Sequence, residues 1–356
     1  MRISAYRGYA TRERVFVSGR VLASELPGEL RGHDTLWRNL RDTYRRFATD
    51  EVPKVAVTVR FEEQEQTTQT DAEGYYHAEL PRTGSSDQFW LTATAHCKVG
   101  ARETSADHEI VATTPVSEFG IISDLDDTVI ETNITSLVTA AKLTFMGNAK
   151  TRKPLEGVAA LYSALQSGHA GRPANPIFYV STSPWNLYDL LCEFMQLNEI
   201  PRGPLFLRDW GRDMIRRTRT PGHRMKLERT LKLLADFPDL PFVLVGDSGQ
   251  HDAGIYAEVA ARHPQRIKAI YIRDVDPSTA TRRDDEVREH MKTAAQHGVP
   301  MLLAFDSNAI ARHATDTGLI PARKEAVVHA DVAKDQERPS AGTVAVKEAL
   351  GMDASK

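Results

Sequence analysis

The sequence predicts an α/β protein in two parts, a doubly wound, mostly parallel sheet preceded by a small β-sandwich. Three observations predict it. The chain has 356 residues, enough at roughly 150 residues per domain for two hydrophobic cores. From Val15 to about Thr113 short alternating segments are separated by turn residues. Beyond Pro115 unbroken apolar runs alternate with segments of helical spacing. The implied division is a β domain over 1–115, an α/β domain over 116–321 and a flexible tail over 322–356.

In the first part, Val55, Val57, Val59 and Phe61 alternate with Lys54, Ala56, Thr58 and Arg60, the period of a strand with one buried face. Asp71 to Gly74 supplies turn residues before a run from Tyr75 to Leu80. Phe89, Leu91 and Ala93 mark another strand, and residues 108 to 112 a further one. One interruption is helical: Leu36, Trp37, Leu40, Tyr44 and Phe47 recur at spacings of three and four, which predicts a helix with a core-facing stripe.

In the second part the apolar runs are Phe119 to Ile122, Ile177 to Val180, Phe242 to Val245, Ile267 to Ile272 and Met301 to Phe305. Such runs suit strands of a parallel sheet covered on both faces. Helices are predicted between them at Thr135 to Phe145, Val158 to Ser167, Trp185 to Asn198 and Met225 to Phe237, and a last one that Ser307 can cap. After about Ala322 the sequence is polar and Ala-rich without periodicity.

Composition narrows the function classes. With 41% apolar and 26% charged residues and a net charge of −3, the chain lacks the basic excess of a dedicated nucleic-acid binder. No apolar stretch is long enough to span a bilayer, and Met1 to Val21 carries arginines instead of an export signal. Cys97 and Cys192 fall in different parts, so neither a disulfide framework nor a cysteine metal site is expected. A cytoplasmic protein follows from this reading, in contact with membranes, if at all, only at their surface.

The most informative segment is Ile122 to Thr128, where Asp124, Asp126 and Asp127 stand immediately after an apolar strand. Open α/β sheets hold their ligands at that carboxyl edge. Three adjacent carboxylates repel one another unless a cation compensates, and magnesium prefers such hard oxygen ligands. Two other readings fit the same residues: aspartates capping the next helix, and the Asp-x-Asp of a nucleotide-sugar transferase holding a metal-diphosphate.

Asp124-x-Asp126-x-Thr128 resembles the signature of haloacid dehalogenase-like phosphohydrolases, which react through an aspartyl-phosphate. Ser181 after a strand, Lys226 on a helix, and Gly246-Asp247 after the next strand match that superfamily's remaining motifs, in order. The strings Ile122 to Val129, Ser181 to Asn186, Leu207 to Gly211 and Gly246 to Gln250 resemble more narrowly the catalytic domain of the actin-patch-protein phosphatidate phosphatases. These are lipin relatives that hydrolyse phosphatidate to diacylglycerol with Mg2+. The likeness runs from about Phe119 to Ile320, and the preceding β domain is similar to the one found in bacterial members.

The resemblance implies Asp124 as nucleophile, Asp126 as general acid and base, and Ser181 and Lys226 as stabilisers of phosphoryl charge. It implies Mg2+ held by Asp124, Asp126 through its carbonyl, and Asp247, with Asp252 as a further metal-site candidate. Thr128, Thr182, Arg208, Arg216 and Arg217 are the candidate substrate contacts, the arginines because they belong to a locally basic stretch. Ser181, Thr182 and Ser183 can instead cap the helix that follows, and Asp252 the helix from Ala253. Cations interleaved with Trp210, Met214 and Ile215 between Arg208 and Lys226 suit an anionic headgroup at a lipid surface. Only about 27 residues separate Thr128 from Leu155, too few for a large cap domain. The expected partner is therefore an anionic phospholipid or another phosphomonoester, including a soluble or protein one. A non-catalytic scaffold is the alternative outside the enzymes.

Overall fold

The computed structural model describes residues 1–23, 51–83, 87–126, 128–129, 155–208, 222–275 and 281–337. The stripe Leu36 to Phe47, Asp127, the segment Thr135 to Phe145, and Arg216, Arg217 and Arg219 lie outside them.

The α/β part is built on a six-stranded sheet, ordered β11(Leu205–Arg208), β10(Ile177–Pro184), β9(Gly120–Ser123), β12(Phe242–Asp247), β13(Ile267–Arg273) and β14(Met301–Ala304). Every pairing in it is parallel. The strands read as continuous apolar runs because both faces are buried. Ile121, Tyr179, Val243, Val245 and Tyr271 point into one apolar cluster together with Leu161, Leu165, Leu191 and Ile310 from helices. Ile122, Phe178, Val180, Leu244 and Ile272 point into another, with Leu233, Leu234, Val259 and Val287. Alternate residues thus serve opposite cores, as the two-residue side-chain period of a strand requires.

Helices connect the strands at Val158–Ser167, Tyr188–Leu197, Gly222–Asp236, Asp252–Arg262, Arg282–Gln296 and Ser307–Asp316. The strand from Ile177 runs further than its apolar stretch, through Ser181 and Ser183 to Pro184. The last of these helices is capped by Asp306 rather than Ser307. Asp306 accepts the Ala309 N–H at 2.8 Å, whereas the Ser307 hydroxyl donates to the Glu156 carbonyl at 2.6 Å.

The expectation that a flexible tail begins at 322 is overturned by a helix over Ala322–Gln336. Only Val328 and Val332 are deeply buried apolar residues on it, a stripe too narrow to register as periodicity. Tertiary contact holds it: the Asp335 carboxylate accepts the Gly157 N–H at 3.0 Å.

The N-terminal strands β1(Arg2–Ala5) to β8(Arg102–Ala112) form one connected eight-stranded sheet. It is antiparallel except where β2(Gly8–Ala10) runs parallel to β8. Its own core gathers Val15, Val17, Val57, Val59, Tyr76, Leu80 and Ile110. The edge strand β5(Gln64–Gln69) carries no apolar residue, so only its pairing with β4(Ala56–Phe61) reveals it.

The β part also contributes to the α/β cores. Tyr6 lies in one cluster, stacked on Trp185 at 4.5 Å, and Tyr9 lies in the other against Phe178 and Phe206. The Tyr188 hydroxyl accepts the Arg7 N–H at 2.7 Å, and the Tyr9 hydroxyl donates to Asp236 at 2.7 Å. Tyr6 is fixed in turn by His108, whose buried ring lies 2.8 Å from the Tyr6 carbonyl and 2.7 Å from the Tyr76 hydroxyl. The carbonyl can only accept, so His108 Nδ1 carries the proton and Nε2 accepts from Tyr76.

Candidate active site

Register alone brings the carboxyl ends of three strands level. Ser123 pairs with both Tyr179 and Val245, so Asp124 emerges one residue beyond these pairs, beside Ser181 and Asp247. The sheet order reverses here: strands added after β9 run to one side, and β12 opens the other. Such a switch point opens a crevice at the carboxyl edge. The Asp124 N–H is tied to the Val245 carbonyl at 2.9 Å, which fixes the backbone on which its side chain stands.

The side chains converge in a buried polar cluster. Asp124, Asp247 and Asp252 are fully buried and each offers a carboxylate oxygen within 4.8 Å of the others. Lys226 Nζ lies 3.0 Å from Asp124 Oδ1 and 2.7 Å from Asp252 Oδ1. Asp252 therefore pairs with the lysine rather than capping its helix, and its Oδ2 accepts the Asp247 N–H at 3.3 Å. Gly246 makes this approach possible, since a Cβ there would meet Asp252 Cβ at 2.6 Å.

Asp126 faces differently. Its Oδ2 accepts from the Ser181 hydroxyl at 2.9 Å and from the Ser183 hydroxyl at 3.2 Å. Ser181 Oγ also accepts the Ser183 N–H at 2.9 Å. The two serines thus hold a carboxylate, and the short helix at Trp185–Leu187 starts without a side-chain cap. The hydroxyl-rich string after Val180 points to such a role for Ser183, but only the bend of the chain shows which hydroxyls reach Asp126.

Gln250 is the participant to which sequence reading assigned no role. Its side-chain N–H groups face Asp124 Oδ2 at 3.1 Å, Asp247 Oδ2 at 3.2 Å and the Asp126 carbonyl at 3.5 Å. Its Oε1 accepts from Lys226 at 3.2 Å.

Of the candidate substrate contacts, Thr128 is buried, with its hydroxyl making no hydrogen bond to the described residues. Thr182 lies against the start of the helix at Gly222, and Arg208 pairs in register with Pro184 on the next strand. His223 and His251 stand edge to face at 5.7 Å and, with Gln250, Arg283 and His290, line an adjoining cleft of about 360 Å³.

Electrostatically the cluster is short of positive charge. Burial pushes the Asp124 carboxyl well above the usual range, Lys226 opposes this, and Asp252, Asp247 and Asp126 add to it. Burial alone would lower the Lys226 ammonium, but Asp124, Asp252 and Asp247 more than offset it and hold the lysine cationic. Several carboxylates share one lysine. Their oxygens, with the Asp126 carbonyl, are the hard donor set that a divalent cation such as Mg2+ takes. The residues present therefore fit such an ion, and Asp124, Asp247 and the Asp126 carbonyl are the groups that would hold it.

Residues 119–274 match the family model described as the catalytic domain of phosphatidate phosphatase APP1. Phosphatidate phosphatase APP1 of Saccharomyces cerevisiae is 34% identical over 154 residues, covering 43% of this chain and 25% of that protein. An uncharacterised protein of Schizosaccharomyces pombe is 29% identical over 260 residues, covering 69% of this chain and 40% of that protein. The chain thus spans well under half the length of these relatives. A carbohydrate acetylesterase structure from Xanthomonas citri aligns over 80% of this chain and 71% of its own at 11% identity, with a TM-score of 0.25, too low to bear on fold or function. Asp124, Asp126, Ser181, Lys226 and Asp247 all lie inside the matched segment, and residues 119–274 are thus similar to a catalytic domain of the APP1 phosphatidate phosphatase type.

Proposed function

We propose that this chain is a phosphoric monoester hydrolase that converts phosphatidate to diacylglycerol with Mg2+, through an aspartyl-phosphate on Asp124. The single observation that carries the reading is the buried grouping of Asp124 with Lys226 and Asp247, beside an Asp126 held by two serines, inside the segment that matches the family. A haloacid dehalogenase-like fold is the corresponding reading of the six-stranded sheet.

Phosphate monoesters are among the slowest species to hydrolyse in water, so splitting the reaction lowers each barrier. An Asp124 carboxylate oxygen attacks phosphorus, the ester P–O bond breaks, and the departing alkoxide takes a proton from Asp126. Asp126 then removes a proton from water, whose oxygen attacks the same phosphorus and releases inorganic phosphate and the Asp124 carboxylate. Ser181 and Ser183 keep the Asp126 carboxylate aimed, and Lys226 stabilises charge on the transferring group. Bound Mg2+ would supply charge shielding between the nucleophile and the phosphate.

Contact with lipid is proposed to be peripheral. Among the described residues no helix is long and apolar enough to cross a membrane, and Arg208, Arg216 and Arg217 would meet the anionic surface. The division into a β domain over 1–115 and a catalytic domain after it belongs to the same proposal, as does a cytoplasmic location.

The test is phosphate release from phosphatidate in mixed micelles, with and without Mg2+, beside a soluble phosphate ester. Turnover that needs Mg2+ and disappears in Asp124→Asn is expected. Activity surviving that substitution would remove Asp124 as nucleophile, and turnover confined to the soluble ester would remove the lipid.

A further inference from the structure

We propose, building on the cation site inferred above, that Gln250 is a positioning residue. Its side-chain amide gathers the three oxygens a divalent cation would take, and it has to withdraw for the cation to bind.

The orientation of this amide is determined by its partners. A lysine ammonium only donates and a carboxylate only accepts, so Oε1 belongs against Lys226 and Nε2 against the aspartates. One nitrogen then lies 3.1, 3.2 and 3.5 Å from Asp124 Oδ2, Asp247 Oδ2 and the Asp126 carbonyl. These are oxygens of the residues that site chemistry assigns to the cation. The amide nitrogen stands where the three oxygens converge, the place a cation shared by them would take, so the two contend for one position.

The surroundings allow exchange. The Gln250 backbone N–H is anchored to Asp247 Oδ1 at 2.8 Å, which keeps the residue at the site whatever its side chain does. That side chain is only half-buried and borders the cleft of about 360 Å³ beside His223 and His251. It has room to turn outward without disturbing the sheet. The amide thus lowers the cost of holding Asp124 and Asp247 close, and by contending with the ion it weakens the site's affinity.

Calorimetric titration of the full chain with Mg2+ tests this, comparing wild type, Gln250→Met, which keeps similar length without a donor, and Gln250→Ala. Both variants are expected to bind Mg2+ about tenfold more tightly, the order of one charge-assisted hydrogen bond removed from competition. Their thermal midpoints should fall in EDTA and recover in Mg2+. An unchanged dissociation constant overturns the proposal. A raised one also overturns it, because Gln250 would then support the bound ion. Asp247→Asn separates the two levels: if wild type binds no Mg2+, or this variant binds as well as wild type, the cation site itself is wrong and the proposal falls with it.

Discussion

Replacing Lys226 with Met measures how much the buried charge cluster depends on its cation. The lysine side chain is 4% exposed and sits 3.0 and 2.7 Å from carboxylates that are 0% exposed. At an effective dielectric constant of about 20, each contact represents roughly 5–6 kcal/mol of attraction. Most of this is cancelled by the several kcal/mol spent desolvating each ion. What remains visible is the cost of leaving carboxylates buried without a partner, about 3–5 kcal/mol. Urea denaturation in EDTA at pH 7 should show that loss for Lys226→Met. Asp252→Asn removes one of the orphaned charges, so the double variant should cost about 1–3 kcal/mol less than the sum of the singles. The folded lysine holds its proton more tightly than the unfolded one. Its contribution is therefore fully present below the unfolded value near 10 and lost only above it, and because Lys226 also holds the Asp124 carboxyl down, the difference from wild type should hold or grow, and not shrink, from pH 6 to 9. A loss under about 1 kcal/mol, strict additivity, or a difference that shrinks toward pH 9 would show that Lys226 is not the charge on which the cluster rests.

Three further outcomes follow from the same structure. Ser181→Ala, combined with Ser183→Ala, frees Asp126 and should lower kcat for phosphatidate by about 10–10²-fold with little change in KM; an effect on KM alone would make these serines substrate contacts. His108 is held to about 4 by burial, so the folded protein binds fewer protons than the unfolded one between there and about 6.5. Stability from this residue is complete above pH 6.5 and about 3 kcal/mol is lost as pH falls to 4, a decline that His108→Gln should not share in matched urea titrations. Replacing Arg216, Arg217 and Arg219 with Gln should weaken binding to phosphatidate liposomes by about 1 kcal/mol per residue while sparing turnover of a soluble ester, and equal loss on both would reject a membrane role.

Much of the α/β part could be read from the chain because a strand buried on both faces must be apolar throughout. Ile121 and Ile122, or Val243 and Leu244, serve opposite cores, and no polar residue fits between them. Asp124 and Asp247 stood out for the complementary reason, as charges placed where such runs end. Harder to see were elements whose stability is borrowed. The strand Gln64–Gln69 exists through its ladder with Ala56–Phe61, and the helix Ala322–Gln336 through two valines and Asp335. Tyr6 and Tyr9 reveal nothing by their spacing, yet they carry the β part into both cores of its neighbour.

The sequence by itself determined five of the six parallel strands, the helices after Val158, Trp185, Met225 and Ser307, the carboxylates at the sheet edge and the family they resemble, because these depend on residue type and short spacing. Only the tertiary structure decided how those groups are shared. Asp252 joins Lys226 instead of capping a helix, Ser183 joins Ser181 in holding Asp126, and Gln250 reaches across to three acceptors. These partners are separated by up to 126 residues in the chain. Their meeting is settled by the parallel register of β9, β10 and β12 and by cores on both faces that hold it, neither of which any local pattern encodes.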